Sequence, residues 1–362
     1  MRAAAVAIAA TAFAWLLLRA ESQAAIGALL LLAVAAGLLA ARMRPAAGRA
    51  TLAAPLAIAG LIALALLLRE DDFSLLLVTR VLLVTAACLG LNVQFGYAGV
   101  MNFAGASFFG VGGYTAAVLA ERMPHLLVLL CGGLAAAAVG TVLLIPVVRT
   151  RGHYAALVTI AFALLFRTFL EVNDTLGGPQ GLKLPELRIG PLHFNDAIEL
   201  GPFEGSFYLR YAALALLLVA IFFTLVRRLE RSFVGVALDA VRLDELAAST
   251  FGVDVARWKI VAFTLGNFAI GVAGAVSAFM IGFIAPNNYT FAESLILVSV
   301  LLLGGIGNPW GLALASAIVI VLPEKLQVIQ EYRFLLFAAM VILILIFRPA
   351  GLVPRPVRRL DR

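Results

Sequence analysis

Apolar residues run along this chain in long blocks, cut at intervals by short polar or glycine-rich breaks. A helix needs about 20 apolar residues to cross the hydrocarbon core of a bilayer. Blocks of roughly that length lie at 3–18, 24–41, 51–68, 73–95, 100–120, 126–148, 153–172, 207–227, 259–281, 291–306, 310–329 and 333–347. The pattern predicts an all-α, polytopic transmembrane bundle of about 10–12 spans. Two longer polar segments interrupt it. Residues 173–206 are rich in Gly and Pro and carry Asp174, Glu186, Asp196, Glu199 and Glu204. Residues 228–258 read as helical, because Ala237, Leu238, Val241, Leu246 and Ala247 recur at helical spacing while Asp239, Arg242, Asp244 and Glu245 take other faces. That predicts one amphipathic helix with a polar face for a protein partner.

Composition makes the membrane reading unavoidable. Of the 362 residues 63% are hydrophobic and 13% charged, and the mean hydropathy is +1.06. A soluble protein of this size needs a polar shell that these residues cannot supply. A soluble enzyme, a disordered chain and a disulfide scaffold are excluded. The net charge of +7 acts as an orientation signal. With the N-terminus inside and alternating spans, 17 of the 27 Lys and Arg fall on inner segments. They include Arg42, Arg44 and Arg49, the stretch from Arg227 to Lys259, and the basic tail from Arg348. The bias puts both termini in the cytoplasm, residues 173–206 outside and residues 228–258 inside. Residues 2–24 also allow a cleaved signal peptide, but the immediate second apolar run favours a retained helix.

Candidate chemistry is sparse. Cys88 and Cys131 sit in apolar runs as free thiols, and His125, His153 and His193 share no metal-ligand spacing. No phosphate-cradling Gly-x-x-x-x-Gly-Lys-Ser/Thr loop and no nucleophile elbow occur, so neither ATP hydrolysis by this chain nor an intramembrane enzyme is expected. No cofactor or metal is expected either. Within the spans, Arg167 and Glu171 stand four residues apart and can neutralise each other, whereas Arg80 needs a partner from another helix or chain. Glu293 lies near the outer boundary. The segment from Gly96 to Tyr114 is dense in small residues and predicts a broken or re-entrant helix beside a substrate path. Gly96, Gly99, Asn102, Gly105 and Ser107 are its candidate lining residues. A second cluster, Gly304 to Gly311, predicts a tight turn between helices or a contact near an inner gate. An ion-coupled carrier with paired broken helices is the rival class.

The stretch from Arg231 to Lys259 resembles the cytoplasmic coupling loop of branched-chain amino acid ABC importer permeases. It carries Gly235-Val236-Ala237-Leu238-Asp239-Ala240-Val241-Arg242, then Glu245-Leu246-Ala247-Ala248, Gly252 and the Trp258-Lys259 exit. Arg151-Gly152-His153-Tyr154, Gly177-Gly178-Pro179-Gln180-Gly181-Leu182, Gly304-Gly305-Ile306-Gly307 with Trp310-Gly311, and Phe347-Arg348-Pro349 are similar to other blocks of that family. The resemblance implies a permease core over 73–355 that contains a coupling loop at 228–258. Residues 1–70 form N-terminal transmembrane helices outside it, and 356–362 a basic cytoplasmic tail. It implies a multi-pass protein of the bacterial inner membrane. The expected partners are a second and different permease, two cytoplasmic ATP-binding subunits and an external solute-binding protein, with no nucleic acid. Asp239, Arg242, Asp244, Glu245, Ala247, Ala248 and Gly252 would then couple to the ATPase. After Gly99 the chain departs from the family's usual Gln, Ser and Gly-His, placing Val100, Asn102, Ala104 and Gly105 there. Permeases for urea or short amides, which look much like this family, therefore stay open as the alternative cargo class.

Overall fold

The computed structural model describes residues 71–148, 154–196, 198–200 and 203–325, with 332, 335, 338, 339, 342, 346, 351–353 and 355 beyond them. The expected spans before residue 70, most of the one at 333–347 and the tail at 356–362 lie outside the described residues. The other eight apolar blocks are helices or contain one. In chain order the helices are α1 (Asp72–Asn92), α2 (Gly105–Leu119), α3 (His125–Val148), α4 (Tyr154–Val172), α5 (Tyr208–Arg231), α6 (Phe233–Leu243), α7 (Glu245–Thr250), α8 (Val255–Ile281), α9 (Phe291–Gly304) and α10 (Pro309–Lys325).

Side-chain caps explain several starts. Asp71 accepts from the backbone N–H of Ser74, Asp254 from that of Arg257 and Thr290 from that of Glu293. Five segments are long and apolar enough to cross a membrane: Asp72–Tyr97, His125–Ile145, Tyr154–Val172, Tyr208–Arg231 and Val255–Ile281. At 15 and 14 residues α2 and α9 are apolar but shorter, each about 20 Å long against a core of about 30 Å.

The packing has a centre. Helix α8 is flanked by α1, α2 and α3, and glycines let the backbones touch. A Cβ on Gly112 would collide with the carbonyl oxygen of Gly271, and one on Gly90 with that of Gly266. By contrast α4 and α5 turn most of their surface outward: Leu157, Leu164, Leu165 and Phe169 of α4, and Leu217, Ile221 and Leu225 of α5, are exposed. In a membrane protein these are faces for lipid or a neighbouring subunit. Arg80 also faces outward on α1. Arg167 meets Glu171 at 2.8 Å, as their spacing requires, and Arg167 also donates to Asn287. Cys88 is buried and Cys131 half-buried, both as free thiols.

The long polar segment between α4 and α5 is more ordered than a Gly- and Pro-rich loop suggests. It holds two 3-10 turns and five short strands: β1 (Leu182–Lys183), β2 (Arg188–Ile189), β3 (Leu192–His193), β4 (Ile198–Leu200) and β5 (Phe203–Gly205). Strands β2–β3 and β4–β5 form small antiparallel hairpins. β1 pairs with β6 (Phe283–Ile284), which follows α8. The bundle thus has a hairpin end and an opposite end that carries α6 and α7.

Candidate functional site at the break and the amphipathic loop

Between α1 and α2 the helix breaks. The last turn of α1 widens into a π-helix, Val93–Tyr97, and residues 98–104 are non-helical before α2 starts. π-turns cluster at functional sites. A broken helix strands backbone N–H groups, and inside a bilayer they must be met by protein. The Asn102 Oδ1 accepts from the Ala104 N–H at 2.9 Å. Ser294 on α9 accepts from the Ala106 N–H at 3.0 Å, and Thr159 on α4 from the Phe103 N–H at 3.1 Å. The Asn102 amide also donates to Gln94 Oε1 at 2.7 Å and to Asn267 Oδ1 at 3.2 Å. Gln94 in turn donates to Asn267 Oδ1 at 2.9 Å and to the Phe263 carbonyl at 3.1 Å. All three amide side chains are fully buried.

The five predicted path residues fall out accordingly. Asn102 is the hub of this network. Gly96 is buried with its Cα against Gly307, whose N–H donates to Asn92 Oδ1 at 2.8 Å. The two glycine clusters read from the sequence therefore meet, and the second one forms the turn between α9 and α10. Gly105 faces Leu297, and Ser107 is buried with no hydrogen-bond partner among the described residues. Only Gly99 is exposed; its φ of +69° requires glycine, and a Cβ there would lie 3.1 Å from Arg242 Cγ. None of the five lines the cavity of about 560 Å³ between α2, α3 and α4. That cavity is walled by apolar side chains such as Val139, Phe166 and Phe169, with Tyr114 and Thr115 beside them.

The amphipathic segment is two helices rather than the single one expected. The backbone of Asp244 is extended, with φ −159°, and its carboxylate accepts from the N–H groups of Leu246 and Ala247. A Ser, Asp or Asn that caps a new helix ends the old one. The break turns the second helix, so that Ala237, Leu238 and Val241 are buried as the periodicity predicts, whereas Leu246 and Ala247 face out and Ala248 faces in. Of the seven predicted coupling residues, Arg242, Asp244, Glu245, Ala247 and Gly252 are exposed. Gly252 has φ +80° and open space around it. Glu245 is paired with Lys259 at 2.6 Å. Ala248 is buried and Asp239 is engaged within the chain, so neither offers its side chain freely to a partner. The periodicity put Leu246 with the buried positions and passed over Phe233, Val236, Leu243 and Phe251; all five are large apolar residues exposed on this loop, Phe233 and Leu243 at 77% and Phe251 at 86%.

The partner of Asp239 is Arg355, far along the chain. Its two terminal nitrogens donate to the two Asp239 oxygens at 2.6 and 2.9 Å, a bidentate fork. Glu230 lies 4.0 Å from Arg355 Nε and 2.8 Å from Arg227. The guanidinium sits 4.5 Å from the centre of the Tyr97 ring, within cation–π range. Burial alone would lower the pKa of Arg355, but the hydrogen bonds and charge of Asp239 outweigh it and hold the group above its ordinary value. Sequence reasoning missed Tyr97, Glu230 and Arg355; the only signal was the unusual density of charge around Arg227–Asp239 and at the tail.

Residues 73–345 match the family described as the permease component of branched-chain amino acid transport systems. The chain is 34% identical over 282 residues to the high-affinity branched-chain amino acid transport system permease protein LivM of Escherichia coli K12 and to that of Salmonella typhimurium LT2. Each alignment covers 74% of this chain and 66% of the relative, so the chain spans about two thirds of the length of these curated relatives. It is 22% identical over 317 residues to the probable branched-chain amino acid transport permease protein LivM of Methanocaldococcus jannaschii, covering 74% of this chain and 89% of that one. No solved structure matches the chain. With an all-α bundle of membrane-length helices, a glycine-lined break and a family match over most of its length, this multi-pass membrane protein belongs to the branched-chain amino acid transport permease family.

Proposed function

We propose that this chain is one of two membrane subunits of an ABC importer of the bacterial inner membrane, carrying branched-chain amino acids and driven by separate ATPases. The observation that carries the reading is the apolar cluster on α6 and α7. Leu243 and Leu246 stand exposed on short helices and Phe251 at the turn that ends α7, beside charged Arg242, Asp244 and Glu245. Large apolar side chains grouped on a polar loop mark an interface. In this reading the loop end is cytoplasmic, and an ATP-binding subunit closes over Leu246 and Phe251.

A second, different permease packs against this one to complete the path. A solute-binding protein docks at the hairpin end. The chain does no covalent chemistry; it alternates between two packings that the ATPases bias. Gly99, the exposed member of the five small residues, faces the inner mouth of the path, and its buried neighbours hold the break open.

The test is reconstitution in proteoliposomes of this chain with the second permease, the ATPases and the binding protein. ATP-dependent uptake of leucine, isoleucine or valine is the expected result. Uptake of urea or acetamide instead would transfer the chain to the amide-carrying branch. Gradient-driven uptake by this chain alone would refute the ABC reading.

A further inference from the structure

The cluster around Arg355 joins four pieces of chain that also share one hydrophobic core, to which they contribute Tyr97, Val226, Leu238 and Ile306. Asp239 belongs to α6, Glu230 to the last turn of α5, and Tyr97 closes the π-helix just before the break. The fourth piece is the turn between α9 and α10: a Cβ on Gly307 would lie 2.7 Å from Arg355 Cδ. Gly307 is the residue that packs on Gly96 and donates to Asn92.

The backbone leading to Arg355 is itself pinned. The Leu352 N–H donates to the Leu303 carbonyl at 2.8 Å, the Val353 N–H to that of Gly304 at 3.3 Å, and the Asn308 amide to the Val353 carbonyl at 3.1 Å. Gly351, at φ +76°, lies against Gly305. The chain just before Arg355 is thus fixed to the end of α9 and the turn after it, and the Arg355 tip to the amphipathic loop.

We propose that Arg355 is a positioning residue for energy coupling: a strut that carries displacement of α6 to Tyr97 and Gly307, on the two glycine clusters that meet at the break. This rests on the coupling role proposed above for α6 and α7. A flexible link would let α6 move without moving the break. A two-pronged ion pair, in which both carboxylate oxygens are held, fixes orientation as well as distance. The tyrosine face beneath the guanidinium removes the remaining freedom to swing. Helix α6 also packs directly on the π-helix, and Arg242 lies against Gly99, but such apolar contacts can slide, whereas the fork fixes orientation.

The experiment uses the complete importer in nanodiscs. It reads assembly by co-purification, basal ATPase activity, ATPase activity stimulated by loaded binding protein, and uptake. Arg355→Gln, which keeps the length but loses the charge and the fork, should assemble and keep basal ATPase within about twofold of the native value. Stimulation and uptake should fall at least tenfold. Asp239→Asn, which removes the fork from its other side, should lower stimulation and uptake at least tenfold as well. Arg355→Lys, with charge but no fork, should fall between. Native stimulation in an assembled Arg355→Gln importer would overturn the strut.

If Arg355→Gln does not assemble, Arg355→Lys decides. An assembled Arg355→Lys importer with native basal ATPase but stimulation and uptake at least threefold down supports the proposal, and native stimulation overturns it, because a merely structural pair needs only the charge. An ATPase that does not co-purify even with the native chain would instead defeat the coupling role of the loop.

Discussion

Replacing Asn102 with alanine tests whether the break is held by its amide network. The substitution removes the donations to Gln94 and Asn267 and the acceptance from Ala104. Asn267 Oδ1 keeps its bond from Gln94, so two groups are stranded: Gln94 Oε1 and the Ala104 N–H. A buried polar group left without a partner costs ~1–3 kcal/mol, which for two gives ~2–6 kcal/mol. Hydrogen bonds between membrane helices average only about 0.6 kcal/mol in double-mutant cycles, because the unfolded chain in lipid finds other partners. Three lost bonds on that scale set a floor of about 2 kcal/mol. The expected loss is therefore ~2–4 kcal/mol. It can be read by equilibrium unfolding of the purified chain in mixed micelles titrated with a denaturing detergent. Amide exchange at Ala104 should accelerate in parallel. A loss under ~0.5 kcal/mol, with exchange at Ala104 unchanged, would refute the argument, since that is the range of substitutions that touch nothing. A substrate-wall role would give the opposite signature: native stability and an altered half-saturation concentration for uptake.

Four other outcomes follow from the geometry. Phe251→Asp, at an 86% exposed position, should leave stability within ~0.5 kcal/mol yet cut recovery of the ATPase with the membrane subunits at least tenfold; full recovery would move the docking surface elsewhere. Gly112→Ala drives a methyl into the Gly271 carbonyl and should destabilise by ~1–3 kcal/mol, lowering the melting temperature in detergent. Gly190→Ala meets nothing within 4 Å, carries only the strain of φ +61° at ~1–2 kcal/mol, and should leave the α2–α8 contact intact, as a cysteine cross-link across it would report. Glu245→Gln, which breaks an ion pair whose carboxylate is 47% exposed, should cost no more than ~1 kcal/mol and vanish at high salt; a larger, salt-independent loss would contradict the exposed geometry.

What could be read from the sequence divides along physical lines. The helices were legible because their information is local: an apolar run of fixed length, a capping Asp71, Asp254 or Thr290, a glycine where the chain leaves the helix. The span expected at 153–172 and the helix Tyr154–Val172 coincide to a residue. The break after Tyr97 was legible as a cluster of small residues, but not its mechanism. The pairing of Gln94 with Asn267 joins positions 173 residues apart, and no periodicity records it. The split at Asp244 was missed because residues 237–247 satisfy helical spacing; a carboxylate that can cap is also one that can decorate a helix face, and only the extended backbone tells them apart. The hairpins after α4 are two or three residues per strand, too short for alternation to show.

The reach of Arg355 also dictates when this end of the protein is finished. Its ion partner on α6 is made 116 residues earlier, so α6 leaves the ribosome while the guanidinium that clasps it is still untranslated. A chain that stops before residue 355 therefore leaves Asp239 without its guanidinium and the Tyr97 ring without its cation.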